Sequence, residues 1–310
     1  MTHKINRRDF LKLAGILPLS VTAPRLANSL SLGGQTGSPQ NVIIVVFDAF
    51  SACNISLHGY QRETTPNLAR LAEKAIVYHN HYAGGNFTAP GTASLLTGTL
   101  PWTHRAFHHR ETVEKSFVNR NIFSAFQGYH KFAYSHNPMV DVYFEQFIES
   151  IADWIPRDRL FLKNDIIVPL LFNDDEDIAT VSWVRAIKNK DEGFAYSLFL
   201  SHLYETYQEE KVKNFQPQFP RGLPYIAGDN YFLLEDAIDW LGENLSSTSQ
   251  PFMGYFHLLP PHAPYTTHKE LYGRFAGDGW TPEHKPPDPL FSGANHKEEQ
   301  DLKKRKNYDE

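Results

Sequence analysis

Thr88 heads a segment, residues 86–98, that reads N-F-T-A-P-G-T-A-S-L-L-T-G. Threonine is a favoured helix N-cap, proline suits the first helical turn, and Gly98 suits a left-handed C-cap. A hydroxyl placed there lies beside unpaired amide donors, where a phosphate or sulfate group is held. Thr88 is therefore either an ordinary cap or an oxygen nucleophile facing an anion. The other groups able to do chemistry stand at the ends of apolar runs. Asp48 follows N-V-I-I-V-V-F, His136 and Asn137 follow the stretch 128–134, and His257 and His262 close the stretch 251–262. In open α/β sheets, ligands and metals gather beyond the carboxyl ends of the strands. Each residue also has a plainer reading: Asp48 as a turn former, His136 as a loop histidine bonded to backbone.

The elements that must position these groups alternate. The run at 41–47 is β-branched and continuous, as in a strand buried on both faces of a parallel sheet. Pro66 opens a helix with Leu68, Leu71, Ala72 and Ala75 along one face. Residues 76–82 read as a strand, Gly84-Gly85 as a turn, 121–126 as a short helix and 128–134 as turn and strand. Residues 231–245 carry Leu233, Leu234, Ala237, Ile238 and Leu241 at helical spacing, and 251–258 is a second buried strand. Between them, about residues 140–225 read as a helical insertion, with amphipathic stretches at 143–154 and 181–207. The charged run 297–310 reads as a solvated helix. The fold class that follows is α/β, with a mostly parallel central sheet and helices on both faces.

The chain has 310 residues, a formal net charge of -5, one cysteine and 15 histidines. So mild a charge implies no nucleic-acid partner, and Cys53 alone excludes an internal disulfide or a multi-thiolate zinc site. At the N-terminus, Asn6-Arg7-Arg8-Asp9-Phe10-Leu11-Lys12 precedes a modest apolar run and resembles a bacterial twin-arginine export signal. Residues 1–30 are accordingly expected to be a signal segment and 31–40 a linker, followed by one domain over 41–310. The partner implied is the twin-arginine export machinery and the location periplasmic or extracellular. Contact with the membrane is expected only through an uncleaved signal segment.

Taken in order, four motifs resemble the N-terminal portion of the sulfatase family, within the alkaline-phosphatase superfamily. They are Asp48 after its strand, Thr65-Pro66-Asn67-Leu68-Ala69-Arg70-Leu71-Ala72, Thr88-Ala89-Pro90-Gly91-Thr92 with Leu95-Leu96-Thr97-Gly98, and Pro261-His262-Ala263-Pro264. The resemblance covers about residues 41–265. It implies a metal-dependent hydrolase of sulfate or phosphate esters acting on an anionic small molecule or a glycan or lipid ester. One divalent cation (calcium, manganese or zinc) would be bound by Asp48 and Thr88. Thr88, His262 and His136 would be the catalytic groups, and Asn137, His257 and Thr92 the substrate contacts.

Departures from the family pattern sharpen this. Thr88 stands where sulfatases carry the cysteine or serine that becomes formylglycine. Oxidised threonine would be a ketone, so Thr88 would attack directly, as in the phosphodiesterase and phosphoethanolamine-transferase branches. Ala49 replaces the second acid of an Asp-Asp pair, Thr92 replaces an arginine, and Ser135 replaces a lysine. No Asp-His or Asp-Asn motif follows Tyr265. The expectation is therefore an N-terminal fragment, truncated before the rest of the metal shell, whose unfinished sheet edge exposes apolar surface. The alternatives are a phosphoryl-group transferase of the same superfamily and a catalytically dead anion-binding module.

Overall fold

The computed structural model describes residues 39–163, 196–228, 230–280 and 306–310. The expected signal segment, most of the linker, the centre of the expected insertion and residues 297–305 lie outside the described residues. Residues 41–310 form one unit. Among the described residues its sheet has four parallel strands, β1 (Val42–Phe47), β2 (His130–Ser135), β3 (Asp153–Ile155) and β4 (Phe252–Leu258), in the spatial order β1-β4-β2-β3. The registers bring the strand ends together, with Phe47 opposite Leu258 and Ser135 opposite His257. Asp48, His136 and His257 therefore emerge side by side at the carboxyl edge.

Helices cover both faces. The helices among the described residues are α1 (Pro66–Ala72), α2 (Thr88–Thr97), α3 (Pro101–His104), α4 (Ile122–Ala125), α5 (Pro138–Gln146), α6 (Tyr196–Phe215) and α7 (Leu234–Ser247), of which α2, α4, α5 and α7 pack on the sheet. On one face Ala93 and Leu96 of α2, Phe123 of α4 and Tyr143 and Phe144 of α5 meet Ala133, Met253 and Tyr255 of the sheet. On the other, Ala237 and Leu241 of α7 meet Phe132, Tyr134, Phe252, Phe256 and Leu258. Each fully buried aromatic or aliphatic side chain contributes roughly 1.5–3 kcal/mol, so this aromatic layer is the main favourable term joining helices to sheet.

Four expectations are corrected. β4, the central strand, is buried at every position, but β1 is not. It is an edge strand on which Val42, Ile44 and Val46 pack inward, while Ile43, Val45 and Phe47 remain 49%, 46% and 36% exposed. The cause is that α7 covers β4 and β2 without reaching β1. Residues 76–82 form no strand, because no described segment offers them a partner edge; Ile76, Tyr78 and Tyr82 are exposed. On α1, Leu71 is likewise exposed rather than facing a core. Finally, the start of the supposed insertion belongs to the main fold. Val140, Tyr143 and Phe144 of α5 are completely buried in the first core, and β3 is the fourth strand of the sheet.

Candidate active site

Thr88 does not cap its helix. The N-cap position is Phe87, in extended backbone conformation, and Thr88 is the first helical residue. The sequence reading was one residue out, and the difference matters, because the hydroxyl is free of capping duty. It points instead to Asp48, with Oγ1 3.5 Å from Asp48 Oδ2. Gly98 does terminate the helix in the left-handed conformation, at φ 67°.

The first turn of α2 is pinned from two sides. The Tyr143 hydroxyl, from the buried face of α5, donates to the Ala89 carbonyl at 3.0 Å. Gly84 and Gly85 pass so close that a Cβ on Gly84 would sit 2.4 Å from Ser94 Cβ, and one on Gly85 2.7 Å from Pro90 Cβ. These two glycines serve close approach, where the sequence suggested only a turn. Further along, Ser94 Oγ lies 3.0 Å from Nε2 of the fully buried His104. His104 Nδ1 accepts from the Ala106 N–H, so Nε2 carries the proton and donates to Ser94.

Asn137 is the hub on the β2 side. Pro138 occupies the first turn of α5 and Asn137 is its N-cap, with Oδ1 accepting from the Met139 N–H at 2.9 Å. That bond fixes the amide orientation, so Nδ2 faces Asp48 and donates to Oδ2 at 2.5 Å, with Thr88 Oγ1 at 3.5 Å. Ser135 Oγ accepts from the Asn137 N–H at 2.9 Å and donates to its carbonyl at 3.1 Å, locking the loop. His257 completes the group, with Nε2 3.5 Å from Asp48 Oδ2. At that length the contact is too long for a good hydrogen bond, which agrees with the absence of a hydrogen-bond partner for this buried nitrogen. Burial pushes the Asp48 carboxyl up, but His257 and the Asn137 amide outweigh it and hold the group below its ordinary range.

One oxygen, Asp48 Oδ2, thus gathers Thr88, Asn137 and His257. His262 stands apart on an exposed turn, its Nδ1 2.7 Å from the Ala263 carbonyl, near enough to Asp48 to favour the carboxylate. It lines a cleft of about 240 Å³ with Tyr225, Phe232, Tyr265 and His268. A larger cleft of about 350 Å³ lies between Phe47, Leu68, Pro260 and Tyr308. Asp48 and Thr88 line neither.

Two expected site residues fall outside the group. His136 is completely buried, stacked on Phe232 with ring centroids 4.3 Å apart. Its Nδ1 accepts from the Leu259 N–H at 3.4 Å, and burial pushes its pKa down to about 3. A neutral, enclosed imidazole cannot reach a transferred group, so its place is in the core. Thr92, one turn into α2, is buried and makes no hydrogen bond to the group.

Sequence reasoning missed a second polar cluster. Asp309 is buried and accepts from Tyr60 Oη at 2.6 Å, Asn54 Nδ2 at 2.8 Å and Arg62 Nη1 at 2.8 Å. Arg62, also buried, is bidentate to Asp278 at 2.7 and 2.9 Å and lies 4.2 Å from the Trp280 ring. The described end of the charged run is therefore not a solvated helix. Its signal was the Tyr308-Asp309 pair, an aromatic beside an acid, which periodicity does not detect.

Residues 40–309 match the family model described as Sulfatase, and the chain belongs to that family. N-acetylgalactosamine-6-sulfatase of Homo sapiens is 33% identical over 70 residues, 22% of this chain and 13% of that protein. N-acetylgalactosamine-6-O-sulfatase of Bacteroides thetaiotaomicron is 32% identical over 69 residues, 22% of this chain and 14% of that protein. The phosphonate monoester hydrolase of Agrobacterium radiobacter has a TM-score of 0.42 at 18% identity, covering 74% of this chain and 43% of that one. The C-terminal periplasmic domain of EcEptC from Escherichia coli, in complex with Zn, has a TM-score of 0.46 at 16% identity, covering 88% and 55%. The chain spans about half the length of these solved neighbours, and its matched segment about one-seventh of the curated relatives.

Proposed function

We propose that this chain carries the nucleophile side of an exported sulfatase-family hydrolase of sulfate or phosphate esters, with Thr88 as the attacking group. The observation that carries the reading is the placement of Thr88 Oγ1. It sits at the N-terminus of α2, released from capping and directed at Asp48 Oδ2 beside Asn137 Nδ2. The nearby helix N-terminus favours the anionic group under attack. In the reaction, Thr88 Oγ1 gives its proton to solvent and forms a bond to phosphorus or sulfur as the bond from that atom to the ester oxygen breaks, the departing oxygen taking a proton from His262, which the water of the second step restores. Water then cleaves the threonine ester and regenerates the hydroxyl.

The donor set suits a divalent cation in part. Asp48 Oδ2, Thr88 Oγ1 and the unpartnered His257 Nε2 converge as two oxygens and one nitrogen. A cation held by Asp48 and Thr88 would lower the pKa of the threonine hydroxyl. Among the described residues no three His, Cys, Asp or Glu side chains form a metal-holding group, so further donors would come from outside them. His257 and Asn137 together hold Asp48 ionised, Asn137 also aims it, and the Tyr143 bond to Ala89 holds Thr88 in register. Threonine at this position favours phosphate over sulfate esters. Residues 1–30 supply the export signal in this reading, and the substrate is an anionic small-molecule, glycan or lipid ester.

The test is to mix the protein with Mn²⁺ or Zn²⁺ and an aryl phosphodiester or an aryl sulfate, then quench and map adducts by mass spectrometry. A phosphorylated Thr88 peptide, absent from Thr88→Ala, is the expected result. Equal turnover by Thr88→Ala would overturn the nucleophile assignment. The incomplete donor set also supports a second reading, a non-catalytic anion-binding module. It predicts calorimetric binding of sulfate or phosphate, lost on Asp48→Lys only through folding, with no adduct at all.

A further inference from the structure

The turn that carries Asp48 is held by a residue far along the chain. The Asp48 N–H donates to the Leu258 carbonyl at 2.8 Å, extending the β1–β4 ladder by one step. The chain then reverses through Ala49, at φ 57°, a left-handed conformation disfavoured for any residue with a Cβ. Directly against this turn sits the Tyr308 hydroxyl. It donates to the Ala49 carbonyl at 2.7 Å and accepts from the Ser51 N–H at 2.7 Å, bridging the two sides of Phe50. Burial raises the pKa of that hydroxyl, so it remains a donor.

Tyr308 is itself anchored on both sides. Its ring meets Tyr265 edge to face, with centroids 5.4 Å apart, and Tyr265 follows the turn that carries His262. Asp309, the next residue, is bound by Asn54, Tyr60 and Arg62, three residues of the loop that the same turn opens. The 306–310 segment thus grips the loop after β1 at both its start and its end. We propose that Tyr308 is a positioning residue for the candidate site: its hydroxyl holds the Asp48–Ala49 turn in its left-handed form and so sets the direction of the Asp48 carboxylate. The role of that carboxylate in binding a cation rests on the function proposed above.

Tyr308→Phe keeps the ring and its contact with Tyr265 and deletes only the two hydroxyl bonds. Two readouts are used on the full chain: Mn²⁺ affinity by titration calorimetry, and exchange of the Ser51 amide by hydrogen–deuterium mass spectrometry. Removing a residue that orients a ligand costs about 10–100-fold in metal affinity, so Tyr308→Phe is expected to weaken Mn²⁺ binding at least ~10-fold and to speed Ser51 exchange. Glycine adopts positive φ freely. Adding Ala49→Gly to Tyr308→Phe is therefore expected to restore most of the Mn²⁺ affinity, although Ser51 still lacks its acceptor. A Tyr308→Phe chain with a lower melting temperature but unchanged Mn²⁺ affinity would overturn the proposal, as would a lost affinity that Ala49→Gly leaves lost. If the parent chain binds no Mn²⁺, the reading of Asp48 as a ligand falls. The turn is then judged by exchange of the Phe50 and Ser51 amides: faster exchange in Tyr308→Phe, slowed again at Phe50 by Ala49→Gly, supports the positioning role, and unchanged exchange refutes it.

Discussion

Replacing Asn137 separates two tasks that one side chain performs. Its Oδ1 caps α5 through the Met139 N–H, and its Nδ2 donates to Asp48 Oδ2. Loss of an N-cap costs about 1 kcal/mol, and loss of a hydrogen bond to a charged group about 1.5–3 kcal/mol. Asn137→Ala is therefore expected to lower unfolding stability by roughly 2.5–4 kcal/mol. Asn137→Ser recovers the cap but is too short to reach Asp48, and should keep a deficit of about 1.5–3 kcal/mol. Urea unfolding measures both. The pH dependence gives an internal check. Folding holds the Asp48 carboxyl below its ordinary 3.8, so the stability it contributes is present above that value and is lost as pH falls through the depressed one. Without Asn137 the folded value rises toward the unfolded one. The deficit of both variants should then be largest near neutrality and shrink below about pH 4. A deficit that stays constant from pH 7 to pH 3, or an Asn137→Ser variant as stable as the parent, would refute the assignment of Asn137 as a donor that, with His257, holds Asp48 ionised.

Other parts of the molecule give further tests. His136 is held neutral, with its pKa pushed down to about 3, so the unfolded chain binds the extra proton and stability is lost as pH falls from about 6.5 toward 3. His136→Gln should flatten that slope by up to about 1.4 kcal/mol per pH unit, read from urea midpoints at several pH values. Asp309→Ala leaves the buried Arg62 with Asp278 as its remaining acid, and breaking a buried pair costs about 3–5 kcal/mol. Thermal unfolding should show a large drop, with a smaller one for Asp278→Ala, whose side chain is 30% exposed. Gly84→Ala places a Cβ 2.4 Å from Ser94, and forcing the backbones apart should lower stability by about 1–3 kcal/mol, measured by calorimetry.

What could be read from the residues alone depended on whether the cause was local. The apolar runs at β1 and β4, the short helix at 121–126 and the amphipathic spacing of α7 are properties of neighbours in sequence, and each element formed where its pattern lay. The convergence of Asp48, Asn137 and His257 was also foreseeable, because parallel strands bring their carboxyl ends together. Features set by a distant partner were not legible. Whether residues 76–82 become a strand depends on a second edge, and the exposure of β1 depends on which helix lies above it. His136 and Asn137 are adjacent and both polar, yet one enters the core against Phe232 and the other meets Asp48. That choice is made by the alternation of side chains at the end of β2. The burial of Asp309 is set by Arg62, Tyr60 and Asn54, which no spacing rule connects to it.

The strand order carries a consequence for how the molecule is made. Among the described strands β4 is the last in sequence but stands between the first two, pairing with β1 on one side and β2 on the other. Until residue 258 has left the ribosome, none of the other described strands pairs with β1, and the β2–β3 pair lacks its β4 neighbour. Pairing over such separations is intrinsically slow, because the loop must close before any contact rewards it. Completion of the described sheet therefore waits for β4, whose insertion sets the end of β1 and the end of β2 at the spacing that joins Asp48 to Asn137.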